Sequence, residues 1–241
     1  MKLLLGSGGI GTEKRKEMYR KLLLENFSDC SKVVFVPYAS EDHDSYTERM
    51  KSFSGDKIDF IGMHQLDDPI SELDEIDGIY VGGGNTWLLV RELHERGLMG
   101  PIREAVMNRG AAYAGVSAGA NVACPTMQTT NDMPITMVPS FETLGLVPFQ
   151  INPHYYPGGI WYRGDKEESV SKHFGETRSK RIEEFHGIYE YPVIGLYEGS
   201  YLRSKGEYFE LIGNKATLMR KGEEMVTVNP GALLSNDLST T

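Results

Sequence analysis

Residues 1–115 alternate short apolar runs with longer amphipathic stretches, and this alternation constrains the fold more than any other feature of the chain. Short apolar or alternating runs predict five strands, over Lys2–Leu5, Lys32–Pro37, Lys57–Gly62, Gly78–Val81 and Ala111–Gly115, and the second of these is rich in β-branched and aromatic residues. Helical spacing of apolar residues predicts helices over Glu13–Asn26, Ser45–Phe53, Thr86–Arg96 and Pro101–Arg109. Strands that alternate with helices form βαβ units with right-handed crossovers. The sequence therefore predicts an α/β fold with a mostly parallel sheet flanked by helices.

The second half of the chain is less regular. A helix is predicted over Thr177–Phe185. Five short apolar runs are separated by Gly, Asn or Lys-Gly turns, and they cover Val193–Tyr197, Tyr201–Ser204, Tyr208–Ile212, Ala216–Met219 and Met225–Val228. Such runs predict antiparallel strands added at the edge of the sheet. No linker rich in Pro, Gly or Ser divides the halves, so we expect residues 1–241 to form one α/β domain.

Charge and cysteine content narrow the classes of partner. The net charge of −9 disfavours binding to nucleic acid and to anionic membranes, because both attract cations. No apolar run approaches the roughly 18–20 residues of a membrane helix, and the Lys2–Leu5 run is too short for a signal-peptide core. The two cysteines, Cys30 and Cys124, lack the spacing of a metal site. We expect a cytoplasmic protein without a metal.

The motif Gly115-Val116-Ser117-Ala118-Gly119 carries the sharpest chemical signal. It follows the fifth predicted strand and matches the G-x-S-x-G pattern of a nucleophile elbow. In such an elbow a tight strand-to-helix turn exposes the serine, and the next amide donates to an oxyanion. The alternative is a turn of small residues selected for close packing.

A nucleophilic serine needs a base, and the chain has six histidines. Five of them lie in polar or charged surroundings, which are typical of surface residues. His154 instead follows the apolar run that ends at Ile151 and is preceded by Pro153, a rigid position at the end of a predicted strand. We therefore select His154 as the base, and a buried structural histidine is the alternative.

The orienting carboxylate has two candidates. Glu198 ends the apolar run Val193–Tyr197 and precedes a glycine, a position typical of active sites in α/β sheets. Asp132 lies in the polar segment Thr129–Pro134, where a turn-capping aspartate is the alternative. Residue types and spacing leave both open.

Two glycine-rich segments also follow predicted strands. Gly82-Gly83-Gly84-Asn85-Thr86 opens a helix, so its amides can complete an oxyanion hole, cradle an anion without chemistry, or simply form a tight turn. Gly6–Gly11 matches the G-x-G-x-x-G dinucleotide fingerprint. The second strand lacks the acidic residue that this fingerprint requires at its end. The glycine-rich segments still allow an alternative to an enzyme, namely a protein that binds an anion or a nucleotide and has no nucleophile.

Six blocks between residues 80 and 200 resemble the aspartyl dipeptidase (peptidase E) family of serine peptidases, in the order of that family. They are Val81–Thr86, Ser117–Thr126, Thr129–Ile135, Gln150–His154, Gly175–Arg178 and Ile194–Gly199. The resemblance implies a fold like that of class I glutamine amidotransferases. It also implies a cytoplasmic enzyme that needs no cofactor and removes N-terminal aspartate from small acidic dipeptides. A cyanophycinase-like peptidase acting on β-aspartyl bonds is the close alternative.

The resemblance also implies roles for single residues. The expected catalytic residues are Ser117, His154 and Glu198. The two glycine-containing motifs themselves predict an oxyanion hole formed by the amides of Gly83, Gly84 and Ala118. Asn85, Asp132 and Arg178 are the expected substrate-binding residues. Asp132 is expected to bind the substrate's α-ammonium or to maintain the architecture of the site. Arg178 is expected to bind the aspartate side chain, because a guanidinium pairs bidentately with a carboxylate. The alternative is an arginine at a helix start that pairs with Glu176 or Glu183.

Overall fold

The strands form an eight-stranded, a four-stranded and a two-stranded sheet, and the computed structural model describes residues 1–8, 11–55, 57–159, 161–163, 170–172 and 175–239. The strands of the first half are β1 (Leu3–Gly6), β2 (Val33–Val36), β3 (Phe60–Gly62), β4 (Gly78–Val81) and β5 (Ala112–Val116). Those that follow are β6 (Gln150–Asn152), β7 (Trp161–Arg163), β8 (Val170–Lys172), β9 (Val193–Leu196), β10 (Ser200–Lys205), β11 (Tyr208–Gly213), β12 (Ala216–Met219), β13 (Val226–Val228) and β14 (Leu233–Leu234).

The helices lie between the strands and begin at side-chain caps where the sequence offers them. Their bounds are α1 (Glu13–Asn26), α2 (His43–Ser54), α3 (Pro69–Glu72), α4 (Thr86–Glu95), α5 (Met99–Met107), α6 (Ala118–Asn121) and α7 (Arg178–His186). Thr12, Asp42, Asn85 and Thr177 each accept a hydrogen bond from a first-turn amide of the helix that follows. No helix of the described residues is long and apolar enough to cross a membrane.

The largest sheet has eight strands in the order β14-β11-β10-β1-β5-β4-β2-β3. From β1 to β3 all neighbours are parallel, whereas β10, β11 and β14 add antiparallel pairings beside β1. The predicted α/β class, with a mostly parallel sheet and extra antiparallel strands from the C-terminal part, is confirmed.

One detail of the predicted sheet is wrong. The runs beginning at Val193, Ala216 and Met225 do not extend the edge of the main sheet. They supply β9, β12 and β13 of a separate four-stranded sheet, in which β9 pairs in parallel with β6. The reason is burial, because Ile194 and Leu196 pack into the main core while Val193 joins a smaller cluster with Phe185. A strand with apolar contacts on both faces lies inside a fold rather than at an exposed edge.

Alternation along the strands separates two cores. Leu3 and Leu5 face the cluster beneath α4 and α5, which also takes in Ile151 and Ile194, and Leu4 faces the cluster beneath α1 and α2. The second sheet therefore packs on the same side of the main sheet as α4 and α5. Its strand ends come close to the carboxyl ends of β1, β4 and β5.

Candidate active site

Ser117 lies in a strained turn between β5 and α6. Its φ and ψ angles are 54° and −112°, a region that a non-glycine residue occupies only when its surroundings enforce it. A Cβ on Gly115 would overlap the carbonyl of Gly119, and one on Gly119 would overlap the carbonyl of Val81. Tyr113 of β5 stabilises the turn, because its hydroxyl donates to the Gly119 carbonyl over 2.7 Å. The two motif glycines are therefore required by close approach.

His154 approaches Ser117 from the second sheet, just after β6. The Ser117 hydroxyl donates to His154 Nε2 over 2.8 Å, and His154 Nδ1–H donates to Glu198 Oε1 over 2.5 Å. A carboxylate only accepts, so this contact places the ring proton on Nδ1 and leaves Nε2 as the acceptor. In this arrangement the histidine can remove a proton from the serine, and the carboxylate can stabilise the resulting imidazolium.

The parallel pairing of β6 with β9 brings His154 and Glu198 together. Asn152 is opposite Gly195, and Tyr155 N–H donates to the Leu196 carbonyl over 2.9 Å. Both side chains therefore leave neighbouring strands at the same end. The sequence left Glu198 and Asp132 open as the carboxylate that orients the histidine. Among the described residues, Glu198 is the one that contacts His154.

The glycine-rich segment after β1 supports the histidine. Ser7 is fully buried, and its Oγ accepts from His154 N–H over 2.8 Å. A Cβ on Gly8 would come within 3.1 Å of His154 Cε1, and the Gly8 carbonyl accepts from Gly199 N–H. The described part of Gly6–Gly11 thus packs against the imidazole and against the residue after Glu198. Gly9 and Ile10 lie outside the described residues.

The loop after β4 lies against the serine. A Cβ on Gly83 would be 3.1 Å from Ser117 Cβ, and Tyr46 on α2 donates its hydroxyl to the Gly83 carbonyl over 2.9 Å. Among the described residues, the amides of Gly83, Gly84 and Ala118 donate to no carbonyl or side chain. Unpaired backbone donors beside a serine hydroxyl are suited to an oxyanion.

Asn85 and Asp132 have structural partners. Asn85 Oδ1 accepts from the amides of Trp87 and Leu88, which caps α4. Asp132 Oδ2 accepts from Thr86 N–H over 2.7 Å and from Thr86 Oγ1 over 2.6 Å. The carboxylate therefore fastens its loop to the start of α4.

A second contact ties this loop to the histidine segment. Asn131 Nδ2 donates to the Pro153 carbonyl over 2.6 Å, and Asn152 Nδ2 donates to Asn131 Oδ1 over 2.9 Å. The loop that carries Asp132 thus fixes the backbone immediately before His154.

Arg178 is the first residue of α7 and lies near the other site residues. Its guanidinium is stacked 4.9 Å from the Tyr156 ring and donates to the Pro153 carbonyl over 3.4 Å. Partial burial lowers the pKa of Arg178, while the charges of Glu198 and Asp132 act in the opposite direction. Among the described residues it forms no ion pair. Glu176 pairs with Arg181 and Glu183 pairs with Lys180, so the alternative pairing predicted for Arg178 is wrong.

Sequence reasoning missed several neighbours of this site. Ser7 and Gly8 lay in a motif that suggested nucleotide binding, and Tyr46 carried no signal at all. The description of the five remaining histidines as surface residues is wrong for His186, which is buried with Nε2 3.1 Å from the Tyr191 carbonyl. His173 lies outside the described residues.

Comparison with known proteins places this geometry in context. The model of "Peptidase family S51" matches residues 2–212. "Peptidase E" of Streptomyces coelicolor is 47% identical over 194 residues, which cover 80% of this chain and 76% of that protein. "Probable alpha-aspartyl dipeptidase" of Drosophila melanogaster is 45% identical over 192 residues, with 79% and 76% covered. The crystal structure of a peptidase from an acI-B1 Actinobacterium shares the fold, with a TM-score of 0.66 at 18% identity and 97% and 96% of the chains covered.

Proposed function

This chain belongs to peptidase family S51, and we propose that it hydrolyses the bond after an N-terminal aspartate in dipeptides through Ser117, His154 and Glu198. It is a serine-type peptidase and therefore a hydrolase. The observation that carries the proposed mechanism is the pair of hydrogen bonds that joins Ser117 to His154 and His154 to Glu198. The names of the relatives support aspartate as the residue released.

The reaction begins when His154 Nε2 takes the proton of Ser117 and Oγ attacks the carbonyl carbon of the N-terminal aspartate. The amides of Ala118 and of Gly83 or Gly84 stabilise the tetrahedral oxyanion, at roughly 3–4 kcal/mol per donor. His154 then protonates the leaving amine, the C–N bond breaks, and an ester to Ser117 remains. Water, deprotonated by the same imidazole, attacks the ester and restores the serine.

Arg178 supplies the selectivity for aspartate in this proposal. A half-buried guanidinium without a carboxylate partner among the described residues is suited to the side-chain carboxylate of the substrate. Asp132, whose Oδ2 already accepts from Thr86, maintains the architecture of the site.

A panel of four peptides tests the function. Purified protein is incubated with Asp-Leu, Leu-Leu, N-acetyl-Asp-Leu and β-Asp-Leu, and released leucine is measured. The proposal predicts cleavage of Asp-Leu alone, because an enzyme that removes an N-terminal aspartate acts on a peptide with a free amine, an acidic first side chain and an α-peptide bond. Preferential cleavage of β-Asp-Leu would indicate a cyanophycinase-like β-aspartyl peptidase instead, and turnover of Leu-Leu at the same rate would contradict the selectivity.

Replacing Arg178 tests the origin of that selectivity. We expect Arg178→Gln to lower kcat/KM for Asp-Leu about 100-fold, because losing one partner of a desolvated charge pair costs roughly 2–5 kcal/mol. Arg178→Lys should also lose much of the preference for Asp-Leu over Asn-Leu, since a point charge cannot reproduce the bidentate fork. Arg181→Gln is the matched control on the same helix. Normal cleavage of Asp-Leu by Arg178→Lys would refute this assignment.

Tyr46 is expected to position the oxyanion hole. Its bond to the Gly83 carbonyl fixes the plane of the Gly83–Gly84 peptide, and hence the direction of the Gly84 N–H. Tyr46→Phe should lower kcat about 3- to 10-fold with little change in KM, because one hydrogen bond contributes roughly 0.5–1.5 kcal/mol.

The matched control for Tyr46 is Tyr38→Phe, which removes a buried hydroxyl that has no hydrogen-bond partner among the described residues. Steady-state kinetics on Asp-Leu compare the two variants. Equal effects on kcat would show that Tyr46 has no special connection to the oxyanion.

A further inference from the structure

We propose that a cavity between α1 and α2 binds the residue on the leaving side of the scissile bond, through its apolar side chain and its free α-carboxylate. This inference rests on the proposed dipeptidase function and assigns the second half of the substrate. Arg49, which stacks on the Tyr46 ring, is the group inferred to bind the carboxylate, and Arg20 adds a second positive charge to the cavity.

Val116 connects the cavity to the candidate active site. The cavity has a volume of about 560 Å³, and Val116, the residue before Ser117, forms part of its wall. The methyl groups of Val116 also lie 3.8 Å and 3.7 Å from where Cβ atoms on Gly8 and Gly83 would be. Those two glycines pack against His154 and Ser117, respectively. The proposal places the leaving residue of a substrate bound at Ser117 along Val116 and into this space.

The interior of the cavity is largely apolar. Its walls include Tyr19, Tyr46, Phe53, Met50 and Tyr80. The tyrosine hydroxyls are already engaged, because Tyr19 donates to Tyr80 over 2.7 Å and Tyr46 donates to the Gly83 carbonyl. Tyr19 and Tyr80 are buried, so the partly buried Tyr46 and Phe53 supply the apolar surface open to a side chain. The volume falls within the roughly 300–1,000 Å³ of small-molecule sites.

The rim of the cavity is basic although the chain is acidic overall. Lys16, Arg20 and Arg49 line it together with one acid, Glu13, which Lys16 neutralises over 2.7 Å. Arg20 stacks 5.2 Å from the Phe53 ring and donates to the Phe53 carbonyl. Arg49 stacks 5.1 Å from the Tyr46 ring. Within the described ranges neither arginine forms an ion pair, so two oriented cations face the cavity without a carboxylate.

Charge balance explains why such cations are needed. A dipeptide such as Asp-Leu carries two carboxylates and one ammonium, and the chain itself has a net charge of −9. Arg178 accounts for the side-chain carboxylate, so the α-carboxylate of the leaving residue needs another cation. That carboxylate is only three bonds from the scissile carbonyl carbon. A third residue would move it away by roughly 3.5 Å, which favours dipeptides over longer peptides.

Paired substrates test the cavity. The kcat/KM of wild type, Arg49→Gln and Lys51→Gln is measured with Asp-Leu and with its C-terminal amide. Wild type should have the higher kcat/KM on the free acid. Arg49→Gln should lower kcat/KM about 10-fold on the acid, because hydrogen bonds to charged groups contribute roughly 1.5–3 kcal/mol. Its kcat/KM on the amide should stay within about 2-fold of the wild-type value. Lys51, on the same helix but outside the cavity, is the control for net charge and should leave both values unchanged. An equal loss on both substrates, or no loss on either, would overturn the proposal.

Equilibrium binding separates this inference from the proposed function. Calorimetry with Ser117→Ala measures the affinity for Asp-Leu and for its amide, with and without Arg49→Gln. If wild type hydrolyses neither peptide, the dipeptidase proposal fails, yet tighter binding of the acid that Arg49→Gln abolishes would still support the cavity. Equal affinity for acid and amide would overturn it, whatever the turnover.

Discussion

Ser117→Ala is expected to lower kcat for Asp-Leu by about 10⁴- to 10⁶-fold, because removal of a serine nucleophile leaves only the contributions of binding and of the oxyanion hole. The fold should persist, since the only hydrogen bond of Ser117 Oγ among the described residues is the one with His154. Steady-state assays of released leucine give the rate, and circular dichroism with thermal melting checks the fold.

Substrate binding provides the control for this variant. Ser117→Ala should bind Asp-Leu with an affinity similar to the KM of wild type, as long as chemistry is slow relative to dissociation. A folded variant that still turned over Asp-Leu at more than about a hundredth of the wild-type rate would mean that Ser117 is not the nucleophile.

Glu198→Gln is expected to lower kcat by about 10³- to 10⁴-fold with a small change in KM. In the proposed mechanism Glu198 accepts a hydrogen bond from His154 Nδ1–H and stabilises the imidazolium, and an amide at this position can favour the wrong tautomer. Glu198 Oε2 is buried without a hydrogen-bond partner among the described residues, so the surroundings do not select which end of an amide faces the ring.

The matched control is Glu183→Gln, an exposed glutamate that pairs with Lys180 on α7 and does not contact His154. It should retain wild-type kinetics. A Glu198→Gln variant within about 10-fold of wild type would contradict the role of Glu198, and would reopen the choice between this residue and Asp132.

Local patterns predicted much of the fold. The strand Gly78–Val81 and the helix Glu13–Asn26 lie where apolar periodicity and glycine positions put them. The G-x-S-x-G motif predicted the turn at Ser117, because its two glycines are the residues that let neighbouring backbone approach closely. Signals of this kind depend on neighbours in the chain, so a sequence shows them directly.

Contacts between distant segments were harder to predict. The pairing of β6 with β9, which sets His154 against Glu198, joins residues about forty positions apart and depends on burial rather than on periodicity. Ser7 supports His154 across 147 positions of the sequence. Its glycine-rich motif suggested phosphate binding, because glycine permits close approach to a ligand and to a side chain alike.

Labelling with a fluorophosphonate followed by mass spectrometry shows directly whether Ser117 is the nucleophile. We predict one adduct, on Ser117, whose formation slows more with added Asp-Leu than with Leu-Leu and is lost in His154→Ala. No adduct on wild type, or an adduct on another serine that Asp-Leu does not protect, would contradict a serine peptidase built on Ser117, His154 and Glu198.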